Sequence, residues 1–94
     1  MSPKLYTLED SIKRHLKDPT FRRAWKESEA EYLVSKAIIE KRLDKQMSQR
    51  VLAKKAKTTQ AVISRIESMS ASPSIGLLQR LASAFNSRLK IAFE

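Results

Sequence analysis

Cysteine is absent from this 94-residue chain, and glycine and proline are scarce, with one and three residues respectively. The lack of cysteine excludes disulfides and thiolate metal sites, and it is usual in a reducing cytoplasm. The scarcity of glycine and proline favours long helices over many strands. No stretch approaches the roughly 18 consecutive apolar residues of a membrane span, and no secretory signal is present. We therefore expect a cytoplasmic protein that does not contact a membrane.

Acidic residues are also few: 10 Asp and Glu stand against 19 Lys and Arg, and the formal net charge is +9. The imbalance is local. Between Ser48 and Lys90, eight basic residues accompany a single acid, Glu67, whereas residues 1–30 hold seven bases and five acids. Such a concentrated positive charge favours binding of a polyanion. A merely soluble surface is the plainer alternative, but acids would serve solubility at least as well.

Sets of catalytic residues are missing as well. The chain has one His, His15, and no Cys. It also lacks a Gly-rich phosphate loop and a pair of carboxylates suited to acid–base chemistry. We therefore predict that the protein is not an enzyme and that it holds no metal and no cofactor.

The spacing of apolar residues predicts mainly helices. A first amphipathic helix is expected over about 8–17, with its apolar positions at Leu8, Ile12 and Leu16. Asp18 as N-cap and Pro19 at the first helical position then start a new helical stretch. From residue 20 to 44 this stretch is either one long helix or two helices joined near Ser28.

Three shorter helices follow, each after a hydroxyl residue suited to an N-cap, namely Ser48, Thr59 and Ser74. The final residues, RLKIAFE, alternate between polar and apolar and predict a strand over residues 88–93. A lone strand needs a partner, which is an unseen strand, a second protomer or another protein. The predicted fold is therefore mainly α, with five or so helices and a short C-terminal β-strand.

Two of the short helices, joined by a three- or four-residue turn, have the architecture of a helix-turn-helix. The stretch MSQRVLAKKAKTTQAVISRIES, followed by SPSIGLLQRLASAF, resembles the XRE family of phage-repressor and Cro type over residues 31–86. The whole chain is similar to a narrower group, the HigA-type antitoxins of toxin–antitoxin systems. These join an N-terminal helical segment to an XRE domain and a short strand.

The resemblance implies a sequence-specific DNA-binding repressor of its own operon, in the bacterial cytoplasm at the nucleoid. It also implies that the protein binds and neutralises a RelE/HigB-like ribonuclease toxin. The alternative is a stand-alone XRE-family transcriptional regulator with no toxin partner. A DNA-free interaction protein is a third class, against which the basic segment argues. Helix-turn-helix units read paired half-sites, so we expect a homodimer on a palindromic double-stranded operator.

Residue roles follow from side-chain chemistry together with the resemblance. The outer face of the second motif helix carries mostly short side chains and many hydrogen-bonding groups. The base-reading candidates are Thr59, Gln60, Ala61, Ser64 and Arg65. The candidates for phosphate contacts are Ser48, Gln49, Arg50, Lys54, Lys57, Ser70 and Ser72. The resemblance further implies a structural ion pair between Arg42 and Glu67. Two positions that hold glycine in the family carry Lys57 and Met69 here.

The chain is expected to form two parts. Residues 1–30 are predicted to be an N-terminal helical segment that binds the toxin or another partner. Residues 31–94 are predicted to be the XRE domain with its strand at 88–93. The toxin-binding candidates are the apolar residues outside the XRE match, Leu8, Ile12, Leu16, Phe21 and Trp25.

Overall fold

The computed structural model describes Arg14 and residues 16–94, and these residues are mainly helical. They contain four helices, which we number α1 (Pro19–Asp44), α2 (Gln49–Lys55), α3 (Gln60–Glu67) and α4 (Ile75–Ala84). None of the four combines the length and hydropathy that a membrane span requires. The chain divides into two compact units, with the boundary between Ala30 and Glu31 inside α1.

The long helix α1 is continuous over 26 residues, so there is no second helix beginning near Ser28. It begins as predicted, because Asp18 Oδ1 accepts a hydrogen bond from the Thr20 N–H at 2.9 Å. Pro19 occupies the first helical position, where a missing N–H leaves no bond unmade. Ser28 is accommodated inside the helix, since its Oγ donates to the Ala24 carbonyl at 3.1 Å.

The earlier helix expected over about 8–17 falls almost entirely on residues outside those described. At its expected end, Leu16 and Lys17 form a turn.

The N-caps of the three short helices are confirmed. Ser48, Thr59 and Ser74 have extended backbones, and each side-chain oxygen accepts from the N–H three residues later, at 3.1, 3.2 and 3.0 Å. Each cap satisfies one of the amide groups that a helix leaves without an internal partner. These local bonds explain why helices of only 7, 8 and 10 residues start where they do.

The core of residues 31–94 is built from one face of each helix. Leu52 of α2 and Ile63 of α3 are completely buried. The buried cluster consists of Ile38, Leu52, Ala53, Ala56, Ile63, Ile66, Leu77, Leu81 and Phe85. Because α2 and α3 are too short to be stable alone, burial in this shared cluster is what keeps them helical.

Each of the four helices is followed by a residue in the left-handed backbone region, and none of these residues is glycine. They are Gln46, Lys57, Met69 and Asn86, with φ of 55°, 58°, 63° and 54°. After each of them, the next N–H bonds back to the last turn of the helix, as in the Thr58 N–H to Ala53 carbonyl bond of 2.9 Å. The helix ends therefore keep the usual C-terminal geometry without the usual residue.

The predicted strand over 88–93 is wrong, because the described chain after Ser87 has neither helix nor strand. Alternation of apolar and polar residues is necessary for a half-buried strand but does not supply the ladder of hydrogen bonds. No described segment of the chain pairs with these residues. The fold shown is therefore helical throughout its regular elements.

Candidate nucleic-acid interface

Helices α2 and α3 are joined by a four-residue turn from Ala56 to Thr59. Helix α3 buries Ile63 and Ile66 against the core and turns its other side outward. On that outer side lie the predicted base-reading residues, all of them exposed: Thr59, Gln60, Ala61, Ser64 and Arg65. The outer face thus offers amide, hydroxyl and guanidinium groups and no acid.

An ion pair connects α1 to the last residue of α3. Arg42 Nε donates to Glu67 Oε2 at 2.7 Å, and a second guanidinium nitrogen donates to Glu67 Oε1 at 3.0 Å. The remaining terminal nitrogen donates to the Met47 carbonyl at 3.0 Å. The two side chains are only 15% and 8% exposed. This two-pronged geometry fixes the guanidinium plane, so the far end of α3 is held against α1.

A second bond to the same residue comes from Ser35, which is 1% exposed and is the one buried polar residue of the described core. Its Oγ donates to the Glu67 carbonyl at 2.6 Å. That carbonyl lies at the C-terminal end of α3, where carbonyls have no partner within the helix. Ser35 was not predicted from the sequence, where its only signal is that it is a small polar residue on the buried face of an amphipathic helix.

Glu67 is also linked by hydrogen bonds to Gln49 and, through Gln49, to Gln60. Gln49 Nε2 donates to Glu67 Oε1 at 3.0 Å, and Gln49 Oε1 accepts from Gln60 Nε2 at 3.5 Å. A carboxylate accepts only, so the Gln49 amide must turn its nitrogen toward Glu67 and its oxygen toward Gln60. A chain of contacts therefore runs from Arg42 through Glu67 and Gln49 to the exposed start of α3.

This arrangement removes the only negative charge of the basic segment from the surface. Glu67 is the single acid between Ser48 and Lys90, and it points inward to Arg42. In the described part of the chain, the exposed Arg50, Lys54 and Lys57 have no acidic partner. The exposed charged side chains of α2, of α3 and of the turn between them are consequently all positive.

A helix-turn-helix family model matches residues 38–91, which is more than half of the chain. The chain belongs to the XRE-type helix-turn-helix family. It is accordingly a DNA-binding transcriptional regulator. Comparisons with curated proteins and with solved structures found no match.

The loop after α3 contains two of the predicted phosphate contacts, Ser70 and Ser72, and these two serines have different hydrogen-bond partners. Ser70 Oγ donates to the Arg65 carbonyl at 3.2 Å and lies 2.8 Å from Ser68 Oγ, so it closes the end of α3. Ser72 Oγ donates to Glu31 Oε1 at 3.5 Å. A phosphate beside that carboxylate would be repelled, which counts against Ser72 as a phosphate contact.

The turn of the helix-turn-helix is held by a residue that was not predicted from the sequence. Arg80 of α4 donates from Nε to the Ala56 carbonyl at 2.9 Å, at the end of α2. A cation at the C-terminal end of a helix is favourable, because the unpaired carbonyls carry partial negative charge. Arg80 is therefore a structural part of the turn, and next to it Lys57 projects into solvent.

The toxin-binding candidates are only partly described. Leu8 and Ile12 lie outside the described residues, and Leu16 belongs to the turn before α1. Phe21 and Trp25 are half-buried and lie one turn apart on α1. In the part of the chain that the structure describes, no three His, Cys, Asp or Glu side chains come together as a metal site.

Proposed function

We propose that this regulator is a sequence-specific repressor that reads its operator with α3 in the major groove. One observation carries the proposal: the exposed outer face of α3 bears Gln60, Ala61, Ser64 and Arg65, and the contact network from Glu67 through Gln49 reaches Gln60 at the start of the helix. A side chain held in one orientation before binding loses less conformational entropy on contact with a base. The proposal assigns the chain no catalytic role.

The chemistry of the face suits direct readout. A glutamine amide bonds both the donor and the acceptor of adenine, and an arginine bonds both acceptors of guanine. Gln60 and Arg65 are thus the principal reading residues. Thr59 and Ser64 add single hydrogen bonds, and Ala61 packs against a thymine methyl group.

The flanks suit the phosphate backbone. Arg50, Lys54 and Lys57 are exposed cations on α2 and in the turn after it. Ser48 and Gln49 begin α2, and Gln49 has a second amide hydrogen beyond the one given to Glu67. Phosphate contacts position the protein without reading sequence, so these residues supply affinity and the reading face supplies discrimination.

Mutations in these two sets of residues should have different effects on DNA binding. Gln60→Ala should weaken binding to the cognate operator by about 1–3 kcal/mol and leave binding to random DNA nearly unchanged. Lys54→Ala should weaken both by similar factors. It should also reduce the salt dependence, log Kd against log salt, by roughly one unit for each protomer that loses a contact.

The measurement is fluorescence anisotropy with both DNAs at several salt concentrations. Gln79→Ala on α4 and Lys41→Ala on α1 are matched controls, because each removes the same side chain from an exposed position outside the proposed interface. Both controls should bind like the parent chain. Equal weakening of cognate and random DNA by Gln60→Ala would mean that α3 does not read the bases.

We further propose that the regulator is a HigA-type antitoxin that neutralises a RelE/HigB-like toxin and represses the operon encoding both. The support is the resemblance along the whole chain, and the position of residues 1–30 ahead of the matched span of 38–91. Toxins of this kind are basic in the resembling group. In this basic chain, α1 exposes Glu29 one helical turn after the half-buried Trp25, which places an acid beside apolar surface.

The proposal requires a neighbouring gene for a RelE/HigB-like ribonuclease, and the test is inhibition of that ribonuclease. The full chain should abolish RNA cleavage at equal molar amounts, and a chain without residues 1–30 should not. Full-length Glu29→Lys should neutralise less well than the parent while binding operator DNA equally. If the truncated chain neutralises fully, the toxin site lies elsewhere; if the full chain does not neutralise, the stand-alone regulator is the correct alternative.

A further inference from the structure

An open cleft lies beside the turn of the helix-turn-helix, between the end of α2 and one side of α4. Its volume is about 290 Å³, near the lower end of the range for sites that hold small ligands. The residues that line it are Lys55, Lys57, Gly76, Gln79, Arg80 and Ser83. None of these six residues belongs to α3, so the cleft is separate from the proposed reading face.

The lining of the cleft is rich in cations and contains no acid. Lys55 and Lys57 contribute ammonium groups, and Arg80 contributes a guanidinium. Arg80 gives its Nε hydrogen to the Ala56 carbonyl, and its two terminal nitrogens have no acceptor among the residues that the structure describes. Within the same residues, neither lysine has an acidic partner. Three like charges around one small cleft repel each other, and an anion placed among them is attracted by all three.

Helix α4 adds neutral hydrogen-bond donors to the cleft. Its lining residues follow one another along a single helix face, at spacings of three, four and seven positions from the first, and they are Gly76, Gln79, Arg80 and Ser83. The amide of Gln79 and the hydroxyl of Ser83 can both donate. An anion with several acceptor oxygens can therefore be bonded by these groups as well as by the cations.

Gly76 is the only glycine of the chain, and the fold does not require it. It lies in the first turn of α4, its φ is not positive, and a Cβ built there would meet nothing closer than Ser74 Oγ at 3.9 Å. Glycine is a poor helix former, so the position favours almost any other residue on helix propensity. The effect of glycine here is to leave room in the cleft and to let a ligand approach the backbone.

The end of α2 offers a simpler explanation for part of this arrangement. Cations stabilise the C-terminal end of a helix, which accounts for Lys55 and for Arg80 at the Ala56 carbonyl. That explanation does not account for Gly76 or for an α4 face made of hydrogen-bond donors. The cleft as a whole fits an anionic ligand better than it fits a helix cap alone.

We propose that this cleft binds a phosphate group, either free or carried by a small organic molecule. A phosphate monoester carries about −1.5 to −2 charges at pH 7 and three strong acceptor oxygens. An arginine presents a planar fork of donors to such a group, and a lysine adds a compact positive charge. Lys57 is the only lining residue that the proposed DNA interface also uses, so the proposal does not depend on how α3 reads an operator.

Calorimetric titration of the full chain without DNA tests the proposal, with sodium chloride holding the ionic strength constant. Pyrophosphate should bind with a Kd below about 5 mM, and a weaker affinity would overturn the proposal. Lys55→Gln should raise this Kd at least about fivefold, because one of the three cations is lost. Lys54→Gln is the matched control, since it removes the same charge from the neighbouring exposed position, which does not line the cleft. Equal weakening by the two variants would show that pyrophosphate responds only to overall charge, and the site would be refuted.

Gly76→Glu provides a second and independent test. It puts a carboxylate into the cleft and should abolish pyrophosphate binding. The variant should be at least as stable as the parent in urea unfolding, because glutamate is favoured in the first turn of a helix. Ser64→Glu is its control, since it adds the same charge at an exposed position of α3 outside the cleft, and it should still bind pyrophosphate. If Gly76→Glu binds pyrophosphate like the parent, the ligand lies elsewhere and the proposal is wrong.

Titration with adenosine diphosphate under the same conditions distinguishes the two sources of the phosphate. It carries the same two linked phosphates as pyrophosphate and adds a nucleoside. Binding at least about tenfold tighter than that of pyrophosphate would show that the organic part is also bound, and that the phosphate is carried by a nucleotide-like molecule. A smaller difference would show that the cleft recognises the phosphate alone.

Discussion

Lys57 is held in the left-handed backbone region, and replacing it with glycine should stabilise the protein. Its φ is 58°, in the turn between α2 and α3. The conformation is enforced by two bonds, from the Lys57 N–H to the Lys54 carbonyl at 3.2 Å and from the Thr58 N–H to the Ala53 carbonyl at 2.9 Å. Both bonds involve backbone only, so glycine can form them equally well.

The magnitude follows from two opposing terms. A side chain in the left-handed region costs about 1–2 kcal/mol, because Cβ crowds the following carbonyl oxygen. Glycine offsets about 0.5–1 kcal/mol of the gain through its greater freedom in the unfolded chain. The Lys57 side chain is exposed, so removing it forfeits little packing. The net stabilisation is about 0.5–1 kcal/mol, or an increase in Tm of about 3–6 °C for a domain of this size.

Urea unfolding followed by circular dichroism measures this change, with two controls. Lys57→Ala removes the same charge but keeps Cβ, and it should not stabilise. Lys54→Gly makes the same substitution inside α2, where φ is negative, and it should destabilise by about 1 kcal/mol. If Lys57→Gly is no more stable than Lys57→Ala, the turn is not strained and the reasoning fails. Operator affinity should fall in both Lys57 variants, because Lys57 is a proposed phosphate contact.

Two further predictions concern the contacts to Glu67, both measured by urea unfolding. Glu67→Ala leaves the guanidinium of Arg42 largely buried without its partner and should cost about 2–4 kcal/mol; a loss below about 0.5 kcal/mol would show that the pair is not structural. Ser35→Ala removes the 2.6 Å bond to the Glu67 carbonyl and should cost about 1–2 kcal/mol. Ser28→Ala on the same helix is its control and should be nearly neutral; equal losses at the two serines would contradict a special role for Ser35.

Some features of this protein are decided within a few residues, and these could be predicted from the sequence. The caps at Asp18, Ser48, Thr59 and Ser74 bond to amides two or three residues away. The apolar spacing of α3 likewise gives its buried side, with Ile63 and Ile66 inward. Features of this kind depend only on local helix geometry, so the helices after residue 18 and the exposed polar face of α3 could be inferred from the sequence.

The alternation of apolar and polar residues at 88–94 is a case in which the local sequence does not determine the structure. Alternation describes how a segment would behave as a strand, but the hydrogen bonds of a strand belong to a second segment. No such segment exists in the described chain, and the expected strand is absent. The sequence likewise did not decide whether α1 continues past Ser28, because a serine inside a helix and a serine at a break can have the same neighbours in sequence.

The sequence by itself determined the helix starts, the apolar faces and the positive charge around the helix-turn-helix. Only the tertiary structure decided the partners of its polar side chains. Ser35 and Glu67 are 32 residues apart, and Arg80 is 24 residues from the carbonyl that it binds. Gln49 could have pointed to solvent, yet it joins Glu67 to Gln60. Such contacts arise when the apolar cluster closes, because the packing of distant helices chooses which polar groups come within hydrogen-bonding distance.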